Sequence, residues 1–192
     1  MWKVELEKEI LKEIISDWDS FLFSNEIYWQ LHISNKKFMP SERRARISSG
    51  RLLISSFILH NRSFLDNDSI LNQFLALKNK WLANWQKKIS EELPIRVRQW
   101  NQFINDLRSD SEFSQPQMNS QLQIRLMIDL LIDELDELQK EQHFQQIAIP
   151  DQKYKYATLE NSFIWESEFI DVFPPNKYWY LYRKFVQPGE KK

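Results

Sequence analysis

Glycine is almost missing from this chain: only two of its 192 residues are glycine. β-Sandwiches, β-barrels and doubly wound α/β folds use glycine at many tight turns, and nucleotide-binding loops use it to approach phosphates closely. The sequence therefore argues against these fold classes and against P-loop or dinucleotide-binding motifs. Because 42% of the residues are hydrophobic and 14% are aromatic, the composition still indicates a folded globular protein.

Apolar residues recur at three- and four-residue spacing along most of the chain, as is typical of amphipathic helices. The first such stripe contains Ile10, Ile14, Trp18 and Phe21, whereas residues 26–33 fit either a continued helix or a short strand. Further helices are predicted over 41–60, from 70 to 85, from 94 to 107 and over 118–147. Short helical pieces in 155–171 and a break at Pro174 and Pro175 precede the last predicted helix, in the C-terminal segment 173–185.

Local signals set the expected ends of these helices. Ser41 is a candidate N-cap, Pro94 suits the first turn of a helix, and Pro150 is expected to end one. Gly50 and the serines beside it indicate a close contact between helices. Within 118–147 the apolar residues alternate at four and three positions, as in the seam of a bundle, namely Ile124, Ile128, Leu131, Leu135 and Leu138.

These patterns predict an all-α fold with a single domain over residues 1–192. We expect a bundle of five to six helices, with the aromatic-rich C-terminal helix docked on it. No apolar run approaches the roughly 20 residues that cross a bilayer, and the charged N-terminus does not resemble a signal peptide. We therefore expect a cytoplasmic protein that does not bind membranes.

The C-terminal segment FPPNKYWYLYRKF, residues 173–185, holds six aromatic residues and three cations, with no acidic residue. As a helix it places Tyr178, Leu181, Tyr182 and Phe185 on one inward face. Trp179 and Tyr180 then point outward beside cations, and tryptophan and tyrosine beside cations are typical of partner-binding surfaces. The candidate partner-binding residues are therefore Lys177, Trp179, Tyr180 and Arg183.

A second candidate site is the basic segment 36–51, which has a single acid, Glu42. A helix N-terminus with arginines suits a phosphate or a nucleic-acid backbone. The favoured alternative is a solvated or ion-paired face, paired with the acidic residues of 129–141 within one chain or between copies, and a protein partner is a third reading. The candidate phosphate-binding residues are Lys36, Lys37, Arg43, Arg44, Arg46 and Arg51.

Catalytic sites receive little support from the sequence. Cysteine is absent, and none of the three histidines lies in a Glu-x-x-His motif. Asp129, Asp133 and Asp136 share one helical side and could hold Mg²⁺ with a facing acidic pair, but such carboxylates beside lysines are equally typical of a solvated face. We therefore predict no metal and no cofactor.

The function predicted from the sequence is non-catalytic. We expect a protein-interaction or scaffold subunit that binds a protein partner through its aromatic C-terminal surface, and that could also form a homo-oligomer. The alternative is an accessory subunit of a nucleoprotein complex that binds nucleic acid through the basic segment.

Overall fold

A computed structural model describes residues 3–33, 45–62, 68–107 and 115–185 of the chain. Most residues in these ranges are helical and the strands form only two small antiparallel pairs, so the predicted all-α fold is confirmed. The helices are α1 (Val4–Ser16), α2 (Trp18–Phe23), α3 (Ser49–Asn61), α4 (Asp68–Lys80), α5 (Leu82–Asp106), α6 (Gln115–Asp133) and α7 (Glu137–Ala157). The strands are β1 (Trp29–Leu31), β2 (Ala45–Ile47), β3 (Thr158–Glu160) and β4 (Arg183–Phe185).

Two compact units make up the chain, an N-terminal unit of residues 2–93 and a C-terminal unit of residues 94–192. The boundary between them falls after Leu93, inside α5, where Pro94 follows. Each unit has its own set of buried apolar side chains. The single domain expected over residues 1–192 stays a prediction.

Aromatic rings fill the interior of the N-terminal unit. Its helix α1 packs against α3 and α4, and α3 also contacts α4. Trp18 stacks on Trp85 with ring centroids 5.9 Å apart, and it meets Phe74 edge-on at 5.7 Å. All three side chains are buried, and such ring pairs add about 0.5–1.5 kcal/mol to the stability gained from burial.

The segment 26–33, which fitted either helix or strand, contains a strand. In it, β1 pairs antiparallel with β2, so that Trp29 lies opposite Ile47. The indole Nε1 of Trp29 donates a hydrogen bond to Oδ2 of Asp17. This bond ties β1 to the junction between α1 and α2.

Helix α3 begins at Ser49, later than the helix predicted over 41–60. Ser48 is its N-cap, because its Oγ accepts a hydrogen bond from the backbone N–H of Arg51 at 3.3 Å. The predicted N-cap, Ser41, lies outside the described residues. Residues 45–47, which we predict to be helical, form β2.

Two buried carboxylates organise α3. Glu92 accepts a hydrogen bond from the backbone N–H of Gly50 at 2.9 Å. The close helix contact expected at Gly50 stays a prediction. Glu7 makes a two-point contact with the guanidinium of Arg51, at 2.6 Å to Nη1 and 2.9 Å to Nη2. The hydroxyl of Ser55 also donates to Glu7 at 2.7 Å. Because Glu7 is fully buried, this cluster fixes α1 against α3.

Two prolines that we expected at helix ends lie inside helices. Pro94 is in α5 and Pro150 is in α7, although a proline in a helix interior costs about 3 kcal/mol. The predicted helix start at Pro94 and the predicted end at Pro150 are therefore wrong. Buried apolar side chains lie on both sides of each proline, and the burial of each stabilises the helix by about 1.5–3 kcal/mol, which outweighs this cost. These side chains are Ile89, Leu93 and Val97 in α5, and Ile147 and Tyr154 in α7.

The third predicted helix, from 70 to 85, runs on into α5 across a local irregularity at Trp81. The backbone N–H of Trp81 donates to the carbonyl of Leu77 at 3.1 Å, and its carbonyl accepts from Trp85 at 3.0 Å. Both are helical hydrogen bonds. The polypeptide therefore keeps a helical path from α4 into α5.

The long helix predicted over 118–147 is two helices, α6 and α7. Asp136 is the N-cap of α7, because its Oδ1 accepts from the backbone N–H of Gln139 at 2.9 Å. The break rotates the following residues away from the stripe of α6. Leu138, which we assigned to that stripe, is therefore 74% exposed.

After α7 the C-terminal unit contains little regular structure. Of the short helical pieces expected in 155–171, residues 155–157 belong to the end of α7 and Ser167–Phe169 forms a 3₁₀ turn. The aromatic cluster of 173–185 is present, but its backbone is a 3₁₀ turn (Trp179–Tyr182) followed by β4, not an α-helix. Pairing with β3 explains the difference, because the extended residues of β4 bond to backbone groups of β3 that an α-helix over 183–185 would leave without a partner strand.

We expect Glu7→Ala to lower the free energy of unfolding by about 3–5 kcal/mol, because it leaves the Arg51 guanidinium in a largely buried site without its carboxylate. Urea unfolding followed by tryptophan fluorescence measures the change. Glu5→Ala is the matched control in the same helix, with an expected loss of no more than about 1 kcal/mol. Equal losses in the two variants would contradict the role of the buried pair.

Candidate protein-binding site

Tyr180, which we predict to face outward, is fully buried. Its hydroxyl donates to Oδ2 of Asp129 at 2.8 Å, and the guanidinium of Arg125 lies 4.8 Å from its ring centroid. The prediction is wrong because it assumed an α-helix over 173–185, whereas the 3₁₀ turn directs residue 180 inward. Tyr180 therefore holds the C-terminal segment in place and is not part of an exposed surface.

The contacts of Tyr180 belong to a buried network centred on Arg125. Its Nη1 donates to Asp129 in the same helix, and its Nε and Nη2 donate to the two carboxylate oxygens of Asp151 in α7, at 2.9 and 2.7 Å. Nε1 of Trp100 also donates to Asp151, at 2.9 Å. The network joins α5, α6, α7 and the C-terminal segment, and we call it the Arg125 network.

Protonation in the Arg125 network follows from burial and charge. Burial raises the pKa of the Asp129 carboxyl, although Arg125 and the Tyr180 hydroxyl both act to lower it. For Arg125, burial lowers the pKa, but Asp129 and Asp151 outweigh burial and the pKa is raised. Burial also raises the pKa of Tyr180, so its hydroxyl keeps the proton that it donates. Each of these groups is bound by other members of the network, so the Arg125 network stabilises the packing of the C-terminal unit.

The two cations predicted beside the aromatic surface both have partners within the C-terminal unit. Nζ of Lys177 lies 2.7 Å from Oδ2 of Asp133 in an exposed ion pair. The guanidinium of Arg183 donates to Oγ1 and to the backbone carbonyl of Thr158, at 2.7 and 2.8 Å, and to the carbonyl of Lys155 at 3.0 Å. Arg183 thus satisfies carbonyls at the C-terminal end of α7.

Trp179 is the predicted partner-binding residue that the structure places at an open groove. Its side chain is half-buried, and Nζ of Lys155 lies 4.3 Å from its ring centroid, within cation–π distance. We call this the Trp179 groove, with a volume of about 530 Å³ and a lining of Ala148, Asp151, Gln152, Lys155, Tyr156 and Trp179. Sequence reasoning missed its α7 residues because it ended that helix at Pro150.

Next to the Trp179 groove, α7 exposes large apolar side chains. Ile149 and Tyr156 are each 64% exposed, and Leu138 lies further along the same helix. Ile147 and Tyr154, in contrast, are buried on the opposite face of α7. The spacing of the exposed residues along α7 is a signal for this face, but a predicted helix over 118–147 stops before Ile149 and Tyr156.

The basic segment is only partly described. Arg46 is exposed, and its guanidinium carbon lies 4.7 Å from the ring centroid of Tyr28. Both residues line a groove of about 450 Å³ with Glu26, Trp29 and Gln30. Arg51 instead makes the ion pair with Glu7. Four of the predicted phosphate-binding residues lie outside the described residues, namely Lys36, Lys37, Arg43 and Arg44.

Three of the acidic residues of 129–141 pair with cations of the C-terminal unit. Asp129 binds Arg125, Asp133 binds Lys177, and Glu137 lies 2.8 Å from Lys140. Within the ranges that the structure describes, no group of three or more metal-ligating side chains is placed to hold an ion. In the same ranges, no helix combines the length and apolarity needed to cross a membrane.

Comparisons with protein-family models, with curated proteins and with solved structures gave no match to this chain. Its function is therefore inferred from its own residues and their geometry.

We expect Tyr180→Phe to lower the free energy of unfolding by about 1.5–3 kcal/mol, because it removes a buried hydrogen bond to a carboxylate. Thermal or urea unfolding measures the change. Tyr156→Phe is the matched control, since that tyrosine is exposed, and its expected change is below about 0.5 kcal/mol. If Tyr180→Phe were as stable as the control, the hydroxyl of Tyr180 would have no anchoring role.

Proposed function

We propose that this protein is a non-catalytic interaction subunit that binds a protein partner through the Trp179 groove and the exposed face of α7. The observation that carries the proposal is the groove itself, in which a half-buried tryptophan under a lysine lies beside an exposed tyrosine. Tryptophan and tyrosine dominate binding energies at protein interfaces because they bury much area at a low cost in entropy. Tyr180 is not part of this surface.

The polar groups of the Trp179 groove support binding more than chemistry. Its one carboxylate, Asp151, already accepts hydrogen bonds from Arg125 and Trp100. The ammonium of Lys155 lies over the face of Trp179 and reaches no carboxylate in the part of the chain that the structure describes. A partner with an acidic side chain would find both an apolar surface and a cation there.

The exposed apolar residues of α7 extend this surface. Scattered single apolar residues are normal on a protein surface, but Ile149 and Tyr156 lie two turns apart on one helix face beside the groove. A protein partner would remove both side chains from water. Burial of each would stabilise a complex by about 1.5–3 kcal/mol before the costs of association are subtracted.

Photo-crosslinking tests this proposal in cells that express the full chain. With p-benzoylphenylalanine in place of Tyr156, we expect crosslinked protein adducts after irradiation. With the same probe in place of Phe23, which is 51% exposed in the N-terminal unit, we expect none. Ile149→Ser should reduce the adducts at position 156 several-fold, because an apolar contact of about 1–2 kcal/mol changes affinity by roughly five- to thirtyfold.

Two outcomes would contradict the proposal. One is the absence of protein adducts at position 156. The other is an unchanged adduct yield in Ile149→Ser and in Trp179→Ala, provided that both variants keep the helical circular dichroism of the wild type.

The alternative, binding of nucleic acid through the basic segment, predicts a different dependence on salt. Binding to phosphates weakens steeply as salt rises, whereas apolar association does not. A salt titration with single- and double-stranded nucleic acid compares the wild type with Arg43→Ala/Arg44→Ala/Arg46→Ala. We expect no difference between them, and salt-sensitive binding that is lost in the variant would favour the alternative.

A further inference from the structure

The exposed face of α7 has the spacing of a coiled-coil seam. Six residues recur at four, three, four, three and four positions, and every one of them is exposed. The buried residues of α7, Ile147, Pro150 and Tyr154, lie on the opposite face. Alternating spacing of this kind is what allows one helix to pack along another. The seam consists of Leu138, Gln142, Gln145, Ile149, Gln152 and Tyr156.

The two ends of α7 carry opposite charges beside this seam. Glu141 lies one position before Gln142, and Lys155 lies one position before Tyr156, so both flank the same side of the seam. Ala148 lies between them on that side and is exposed. From the N-terminal to the C-terminal end of the helix, this flank therefore carries an acidic residue, a small residue and a basic residue.

We infer that α7 binds α7 of a second copy of this chain, in an antiparallel pair. The inference rests on the proposed function, since it names the partner of that same surface. Helical geometry sets the register. When two copies of the seam run in opposite directions, Leu138 faces Tyr156 of the second copy, and Gln145 faces Ile149. The apolar residues at the two ends of the seam then meet each other, and Ile149 in the middle packs against a glutamine side chain of the second copy.

Charge complementarity selects a second copy as the occupant. In the antiparallel register Glu141 lies beside Lys155 of the second copy, and Lys155 lies beside Glu141 of the second copy. Ala148 meets its own equivalent, which permits close approach of the two helices. In a parallel pair, Glu141 of one copy would lie about 20 Å along the helix axis from Lys155 of the other, so the two could not pair. A surface that is complementary to itself about a two-fold axis is the usual basis of a homodimer.

The pair covers one side of the Trp179 groove. The seam and its flank contribute Ala148, Gln152, Lys155 and Tyr156 to the groove lining. Lys155, whose ammonium lies over Trp179, is the cation that the antiparallel register places beside a carboxylate of the second copy. Because three of the six seam residues are glutamines, we expect a weak dimer that dissociates on the order of micromolar concentration.

Sedimentation velocity of the full chain between about 1 and about 100 µM tests the inference. We expect the mass of the wild type to rise from that of one chain towards that of two. Glu141→Lys and Lys155→Glu should each dissociate at about tenfold higher concentration, because each places like charges beside one another. An equimolar mixture of these two variants should associate as the wild type does, since both contacts then pair opposite charges.

Three results would overturn the inference. These are a wild type that stays monomeric at every concentration, single variants that associate as tightly as the wild type, and a mixture that associates no better than each variant alone. Ile149→Asp provides a second check, because a carboxylate in the middle of the seam should abolish the dimer while leaving the fold intact.

The crosslinking experiment separates failure of this inference from failure of the proposed function. Adducts at position 156 that contain a different protein, together with a monomeric wild type, would overturn the homodimer alone. The absence of any protein adduct, together with a monomeric wild type, would overturn both.

Discussion

The guanidinium of Arg125 holds together the parts of the C-terminal unit on which the candidate site depends. It binds Asp129 in its own helix and Asp151 in α7, and its face lies against the ring of Tyr180. Both carboxylates and the guanidinium are mostly removed from water, so the loss of one member would leave an uncompensated charge. This constraint fixes the rotation of α7 about its own axis. With Asp151 turned inward, Ile149 and Tyr156 are turned outward.

The same anchor determines where the C-terminal segment can lie. Tyr180 enters the interior through its hydrogen bond to Asp129, and Arg183 closes the end of α7 by binding the carbonyls of Lys155 and Thr158. Trp179, directly before Tyr180, is left at the surface beside α7 with Lys155 over its ring. The position of the Trp179 groove therefore follows from the polar contacts that hold Tyr180 and Arg183 against the rest of the C-terminal unit. A groove held by such contacts would lose little entropy when a partner docks.

Spacing along the sequence was sufficient to predict the helical fold, because apolar stripes at positions such as Ile10, Ile14 and Trp18 depend only on local geometry. Helix ends were less predictable. Pro94 and Pro150 carry the usual signal of an end, and only the tertiary burial of their neighbours overrides it. A single sequence does not show that burial.

The candidate site was predictable in part. Trp179 could be named from its neighbours, since an aromatic residue beside cations is a local pattern. The inward position of Tyr180 could not, because it depends on Asp129, 51 positions away in the sequence. The seam of α7 was hidden for a related reason. Asp136 starts a new helix there, so Leu138 belongs to a face different from that of the preceding stripe.

Hydrogen exchange of the N-terminal half of α7 tests most directly whether a second copy covers this helix. Residues 137–146 contain no buried side chain, so in a single chain their amides are protected by local helix formation alone. Exchange measured by mass spectrometry at low and high protein concentration should slow by at least about tenfold in this segment as the dimer forms. Exchange that is equally fast at every concentration would show that no second copy covers α7, and would contradict the account.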